Sequence, residues 1–415
     1  MAAFDLSLNR PLDELYLWWL ADPSRPTLIG TLRTVRAVKG VSLHYDVRWL
    51  KAGFPLSEDL PLQDIEFQPT EKAAAAGAVD DARPDRWGER VIRFLDKPPR
   101  LSLMEYLFYA GDERFGALGV SVSKDQFIPR SLGPLPQLAD VSQIEVLVQR
   151  IQQGEPVPPE QRRLIAPGAT MGGARPKALL ATAGTQWVLK FAEIAEPLDM
   201  PLIEHATMTL AEKAGIRVAP TRPIKVQQGH AVAVQRFDRT GPRRVHALSA
   251  KVALRAAGEP FGYPELAQLL RRRGVVDGGV ARTQMHELFS RMVFNILMDN
   301  TDDHENNHVL LANDRNEYEL SPAFDVLPSA QALGYQQMRV GADAADSTLA
   351  NALSECTQFS LKLHEAVDVV RKVAKVVDGW RRHFAHAHVK KADIESLAGQ
   401  IDRPFLLDQR KEALS

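Results

Sequence analysis

The stretch Asn300-Thr301-Asp302-Asp303-His304-Glu305-Asn306-Asn307, followed by Ser321-Pro322-Ala323-Phe324-Asp325, constrains this chain more than any other feature. Moving a phosphoryl group needs a carboxylate near the attacking hydroxyl and oxygen ligands for magnesium. The set supplies both, with Asp302 as the base and Asn307 and Asp325 as metal ligands. An apolar segment, Leu288-Phe289 through Met292-Val293 to Ile296-Leu297, precedes the loop and predicts a buried helix ending near Asp299. After the loop come His308-Val309-Leu310-Leu311, a polar turn through Asn313, Asp314 and Asn316, and Glu317-Tyr318-Glu319-Leu320. That is the pattern of a hairpin able to carry Asp325 back beside Asp302. Taken alone, such a stretch is equally well a turn, since Asn and Asp cap and turn chains for local hydrogen-bonding reasons.

A second constellation, Gly168-Ala169-Thr170-Met171-Gly172-Gly173-Ala174-Arg175-Pro176-Lys177, breaks the tie. Glycine lets backbone amides close over phosphates. This is not a Walker loop, because Gly-x-x-x-x-Gly-Lys-Ser/Thr is absent and no helix pattern follows. Two short apolar runs follow instead, 178–181 and 186–191, separated by Ala183-Gly184. Alternation puts Trp187, Leu189 and Phe191 on one face of the second run and Val188 with Lys190 on the other. A buried lysine needs an anionic partner, and two candidates exist, a nucleotide phosphate and Glu204. The latter lies near the start of a helix with apolar positions Ile203, Ala206, Leu210 and Ala214, opened near Pro201 and ended at Gly215. A glycine-mouthed hairpin whose strand lysine pairs with a helix glutamate is the arrangement protein kinases use. The bland alternative is a lysine snorkelling at a sheet edge and a glutamate supporting a helix dipole; for either residue alone it competes evenly, and the ordered series decides against it.

At this point the sequence resembles the HipA-like serine/threonine kinases, the toxin half of bacterial type II toxin-antitoxin pairs. The resemblance is carried by Gly172-Gly173-Ala174-Arg175-Pro176-Lys177, Gln235-Arg236-Phe237-Asp238-Arg239, Asn300-Thr301-Asp302-Asp303-His304 with Asn307, and Leu320-Ser321-Pro322-Ala323-Phe324-Asp325-Val326-Leu327. Weaker matches are Gly30-Thr31-Leu32, Tyr45-Asp46, Pro55-Leu56-Ser57, Leu60-Pro61-Leu62 and Pro84-Asp85-Arg86-Trp87-Gly88. It implies an α+β, two-lobed, protein-kinase-like fold with an N-terminal α/β subdomain and a mostly helical C-terminal lobe. It also implies ATP and magnesium as cofactors, Asp302 as catalytic base, Asn307 and Asp325 as metal ligands, and Lys190, supported by Glu204, on the ATP phosphates. Thr170, Met171, Gly172 and Gly173 would cover the nucleotide, His304 would sit at the nucleotide end of the catalytic loop, and Gln235, Arg236 and Phe237 would form the adenine hinge. Relatives often carry Glu where this chain has Gln235. Thr170 stands where the family often has a phosphorylatable Ser, which implies a loop autophosphorylation site. The implied partners are a small helix-turn-helix DNA-binding antitoxin and a protein substrate in translation such as an aminoacyl-tRNA synthetase.

Composition fits an enzyme of this size. The chain of 415 residues is 45% hydrophobic and 25% charged, which is ordinary globular usage and points to more than one packing unit. Its single cysteine, Cys356, excludes an intramolecular disulfide and a cysteine-based zinc site and fits a reducing cytoplasm. No run reaches the roughly 18 apolar residues of a membrane span, and Asp5 and Asp13 stand where a secretion signal would be basic then apolar. The expectation is a cytoplasmic protein without membrane contact. A net charge of -1 gives no general attraction to nucleic acid, and Arg271-Arg272-Arg273, Arg381-Arg382 and Lys390-Lys391 read as solvated helix faces, so DNA would be reached only through the antitoxin.

Turn and proline punctuation predicts an N-terminal subdomain over 1–130, with strands near 15–19, 27–34 and 41–45 and a helix near 103–109. A kinase N-lobe over 131–255 and a helical C-lobe over 256–415 follow, the latter with a long helical region at 361–388 and a charged, frayed tail from 408. Two alternatives compete with an active kinase. A phosphohydrolase would use Asp302, Asp303 and His304 as a metal cluster but lacks further ligands at helical spacing. A catalytically impaired kinase-fold protein, acting as a regulatory partner of an antitoxin, would show a gap in the constellation, and no gap is visible.

Overall fold

The structure, a computed structural model, describes residues 11–168, 173–329 and 331–415. It divides into two compact units, one drawn from Met1–Ile194 and Asp238–Leu248, the other from Ala195–Phe237 and Ser249–Ser415. Among the described residues no helix is long and apolar enough to cross a membrane.

The first unit is built on a five-stranded antiparallel sheet in the order Glu66–Phe67, Gly40–Tyr45, Thr27–Val35, Glu14–Trp19, Leu118–Ser121. The three expected strands are therefore present. Leu15, Leu17, Ile29, Leu32 and Leu43 are fully buried against it. Gly30 lies opposite both Leu17 and Tyr45, where a Cβ would come within 2.3 Å of the His44 carbonyl oxygen, so only glycine lets these strands close. Helix Leu103–Tyr109 follows at its expected place, and then helix Val141–Gln153.

The expected hairpin of the same unit is Lys177–Thr182 with Thr185–Lys190. Ala183 and Gly184 turn it with φ of 49° and 76°, the left-handed pair that matches the twist of a two-residue hairpin. Trp187 and Leu189 are buried, as the alternation requires. The chain returns to this unit at Asp238. Its carboxylate accepts from Gly116 N at 2.8 Å and from Arg239 at 2.6 Å, and Arg239 donates in turn to Arg114 O at 2.8 Å.

The second unit is mostly helical. Helix Met200–Lys213 carries a proline in its first turn, and Gly215 just beyond it has φ 91°. Hairpin Thr221–Lys225 with His230–Gln235 follows, then helices Tyr263–Arg273 and Val280–Leu297 and hairpin Val309–Ala312 with Tyr318–Leu320. The long helical region expected at 361–388 is two helices, Leu363–Asp378 and Trp380–His386, interrupted at Gly379.

The tail does not fray. Pro404–Leu414 is a helix in which Leu406 is fully buried, and buried Arg410 donates to Ile401 O at 2.9 Å and pairs with Asp402. The run Arg271-Arg272-Arg273 has partners inside the fold. Arg271 bonds Thr357 O and Gln358 O, Arg272 pairs with Glu259, and Arg273 lies over the Tyr318 ring.

Candidate active site

The loop Asn300 to Asn307 is held from beneath by a polar stripe on the helix Val280–Leu297. Gln284, Glu287, Arg291 and Asn295 fall at spacings of three and four, so they share one face, and all four are buried. Each buried polar group needs a partner, and each partner is a backbone or side chain of the site. Gln284 Oε1 accepts from Leu320 N at 2.8 Å. Glu287 accepts from Arg217 at 2.7 Å and from Arg291, and Arg291 donates to Ser321 O at 2.6 Å. Asn295 donates to the Tyr263 hydroxyl at 3.2 Å and accepts from Asn300 Nδ2 at 3.1 Å. The helix therefore fixes both the start of the loop and the strand leading to Asp325.

Within the loop the two aspartates part company. Asp303 is buried, accepting from His308 Nε2 at 2.7 Å and from the Tyr263 hydroxyl. Burial alone would push its carboxyl up, but His308 and the hydroxyl hold it below the usual carboxylate range. Asn300 and Thr301 are buried too, with Thr301 bonded to Ser329 at 2.7 Å, whereas Asp302 between them and Asp303 is exposed. A rigid frame thus presents one carboxylate outward.

Ser321 N donates to Val309 O at 2.8 Å and Leu310 pairs with Leu320, so Asn307 and Asp325 leave the same open end of the hairpin. Asp325 has φ 57°, a conformation that costs about 1–3 kcal/mol for a side-chain-bearing residue and accumulates at functional sites. Asn307 is buried, and among the described residues its Oδ1 accepts no hydrogen bond. A buried amide oxygen that accepts no hydrogen bond suits a hard cation, which binds through oxygen. Among the described residues no three His, Cys, Asp or Glu side chains cluster as metal ligands, and Asp303 faces inward, so the hydrolase arrangement of Asp302, Asp303 and His304 is not formed.

The remaining site residues are placed as follows. Glu204 is buried in the first half of its helix, and Gln235 ends its strand with its N–H on Pro220 O at 2.9 Å. Arg236 is buried, and the Phe237 ring lies 5.4 Å from that of Phe324, next to Asp325. His304 is half-buried at the loop's centre. In the first unit, Lys190 closes its strand, 9% exposed, and Gly173 has φ 99°. Thr170, Met171 and Gly172 lie outside the described residues. The residues sequence reasoning missed are Tyr263, Gln284, Glu287, Arg291, Asn295 and His308; the polar period within the apolar helix was the available signal.

Asp299, just before the loop, has φ 55° and pairs with Arg403 at 3.0 Å. Burial pushes its carboxyl up to about 6, with Arg403 offsetting part of the rise. The folded form therefore binds the proton more tightly than the unfolded chain, whose value lies near 3.8. Stability from this group is full below that value and is lost as pH rises through about 6. Asp299→Asn should gain on the wild type by about 1–3 kcal/mol between roughly pH 4 and pH 8. Denaturant titration at the two pH values measures this, and a constant gap would show that Asp299 ionises normally.

Family models agree with this frame. The HipA-like C-terminal domain matches residues 169–380 and the HipA N-terminal domain residues 24–121. No curated protein matches the chain. Among solved structures it is similar to HipA of Shewanella oneidensis MR-1, from a complex of a toxin-antitoxin system with HipB and operator DNA, at 19% identity over 96% of this chain and 97% of that one, TM-score 0.62. It is also similar to the Helicobacter pylori proinflammatory kinase CtkA, at 14% identity over 59% of this chain and 92% of that one, TM-score 0.44. The first likeness speaks to fold, and the fold is the α+β, protein-kinase-like one that the sequence implied. With the C-terminal model alone spanning just over half of its residues and the N-terminal model preceding it, the chain belongs to the HipA family.

Proposed function

We propose that this protein is a serine/threonine protein kinase that transfers the ATP γ-phosphate to a protein hydroxyl. The observation that carries the reading is the exposed Asp302 on a loop whose neighbours Asn300, Thr301 and Asp303 are all buried and bonded. Asp302 accepts the proton of the attacking hydroxyl. Asn307 and Asp325 would hold magnesium, and Lys190 would hold ATP phosphate, with Glu204 as its supporting carboxylate. Bound magnesium supplies neutralisation of phosphate charge. Thr170, Met171, Gly172 and Gly173 cover the nucleotide, His304 meets it from the catalytic loop, and Gln235, Arg236 and Phe237 receive the adenine.

As a family member the protein acts as the growth-arresting toxin of a pair, in the cytoplasm. A small helix-turn-helix DNA-binding antitoxin restrains it and carries any operator contact, as a HipB and operator DNA accompany the Shewanella HipA. The substrate class that fits growth arrest is a translation component such as an aminoacyl-tRNA synthetase. Thr170 is a self-modification site: a phosphate there adds close to two negative charges where nucleotide phosphates sit, which excludes ATP.

Incubation with labelled Mg-ATP and host lysate tests the reading. Label should pass to a protein serine or threonine, and mass spectrometry should find phosphate within residues 168–177 of the wild type but not of Asp302→Ala. Transfer of label by Asp302→Ala at the wild-type rate, or none by the wild type, would refute it.

A further inference from the structure

The sequence match Pro84-Asp85-Arg86-Trp87-Gly88 in the N-terminal region has no role in the chemistry above, and the structure gives it one. Asp85 is the N-cap of helix Arg86–Val91, its Oδ1 accepting from Gly88 N at 2.8 Å. Its other oxygen takes the Lys177 ammonium at 2.6 Å, a pair with 3% and 5% side-chain exposure. Two residues on, Trp87 Nε1 donates to the Lys177 carbonyl at 2.8 Å, so both ends of Lys177 are held by the same helix. Gly88 packs so closely on Pro167 that a Cβ would come within 2.1 Å of its carbonyl oxygen, and a Cβ on Gly168 would come within 2.3 Å of Ala110 O. The N-terminal region therefore meets the glycine-rich segment at its start, Pro167 and Gly168, and at its end, Lys177.

The register adds an electrostatic reason. Lys177 is directly opposite Lys190, so the two lysines share a face of the hairpin, both buried. Like charges directly opposite on a sheet are unfavourable, and a buried ammonium without a counter-charge is costly. The carboxylate of Asp85 neutralises Lys177. A Cβ on Gly173 would lie 3.2 Å from Lys177 Nζ, so the lysine's fixed position also borders the loop itself.

We infer that Asp85 is a positioning residue for the nucleotide loop: through Lys177 it fixes the loop's exit and sets the charge of the face that carries Lys190. The inference deepens the kinase reading and rests on it only for the identity of the ligand. Asp85→Asn is the informative variant, because asparagine keeps the helix cap while removing the charge. It should raise the dissociation constant and the KM for Mg-ATP by about tenfold, the effect of losing preorganisation in one anchored side chain and its loop, and leave kcat within about twofold. Lys177→Met should behave alike, and the double variant should cost no more than either single one, since the two groups act as a unit.

A second measurement needs no nucleotide. Amide hydrogen exchange in the free protein should speed up across residues 168–182 in Asp85→Asn, with strand Glu14–Trp19 unchanged as the internal control. Unaltered exchange in that segment would overturn the inference, and so would a dissociation constant that stays the same or falls. Were the wild type not to bind Mg-ATP while exchange still accelerated, the anchoring would stand and the kinase reading would fall.

Discussion

Asp302→Ala should lower phosphotransfer by about 10^2 to 10^4-fold, the range for removing a positioned base, while the fold and Mg-ATP binding should persist. The separation of effects follows from the loop's construction. Asp302 is exposed, and buried bonds that shape the loop run through Asn300, Thr301, Asp303 and His308. Single-turnover transfer and nucleotide titration on the same preparation measure the two quantities. Expressed alone, the wild type should arrest growth and Asp302→Ala should not, with co-expression of the antitoxin relieving arrest. Equal toxicity of both proteins, or harmlessness of both, would remove the toxin reading and leave the chemistry to the transfer assay.

Arg291→Leu should destabilise the second unit by about 3–5 kcal/mol, because it takes a guanidinium from a buried carboxylate and the donor from a buried carbonyl at once. Glu287 loses one of its two guanidinium partners and Ser321 O loses its donor at 2.6 Å. Denaturant midpoints at constant m-value report the loss. Removing the whole pair tests the cause: Glu287→Leu with Arg291→Leu should recover much of the stability, since replacing both charges by packed apolar groups avoids leaving either unpaired. A double variant as unstable as Arg291→Leu would mean that packing, not the unpaired charge, sets the cost.

These two residues mark how far the sequence could be read. Asp302, Asn307 and Asp325 stand within a few dozen positions of one another with a helix before and a hairpin between, so local pattern is enough to read the elements that flank them. Periodicity likewise carried Trp187 and Leu189 to the buried face of their strand. It failed where the informative residues were polar. Gln284, Glu287, Arg291 and Asn295 repeat at helical spacing, but the adjoining apolar stripe of Leu288, Met292 and Ile296 dominates the pattern and makes the helix look like plain core. The tail misleads for the opposite reason. Its charged residues suggest fraying, whereas Leu406 and Arg410, four apart, are the ones that dock. Contacts such as Asp85 with Lys177 have no local signature at all, because the chain between them is long and nothing in either segment names its partner.

The return of the chain at Asp238 bears on the order in which the protein is made. Residues up to Ile194 leave the ribosome before the segment Asp238–Leu248 that completes their unit. Until then Gly116 N lacks the Asp238 carboxylate, Arg114 O lacks Arg239, and Leu56 O lacks His246. Domains generally fold as units during synthesis, N-terminal first, but this one must wait for a stretch of the other unit to be translated. A nascent chain that stalls within Ala195–Phe237 therefore holds the strand bearing Lys190 in an unfinished unit and has yet to receive Asp302. With Lys190 and Asp302 in the roles proposed above, a protein made this way would carry no complete catalytic set until late in its own synthesis.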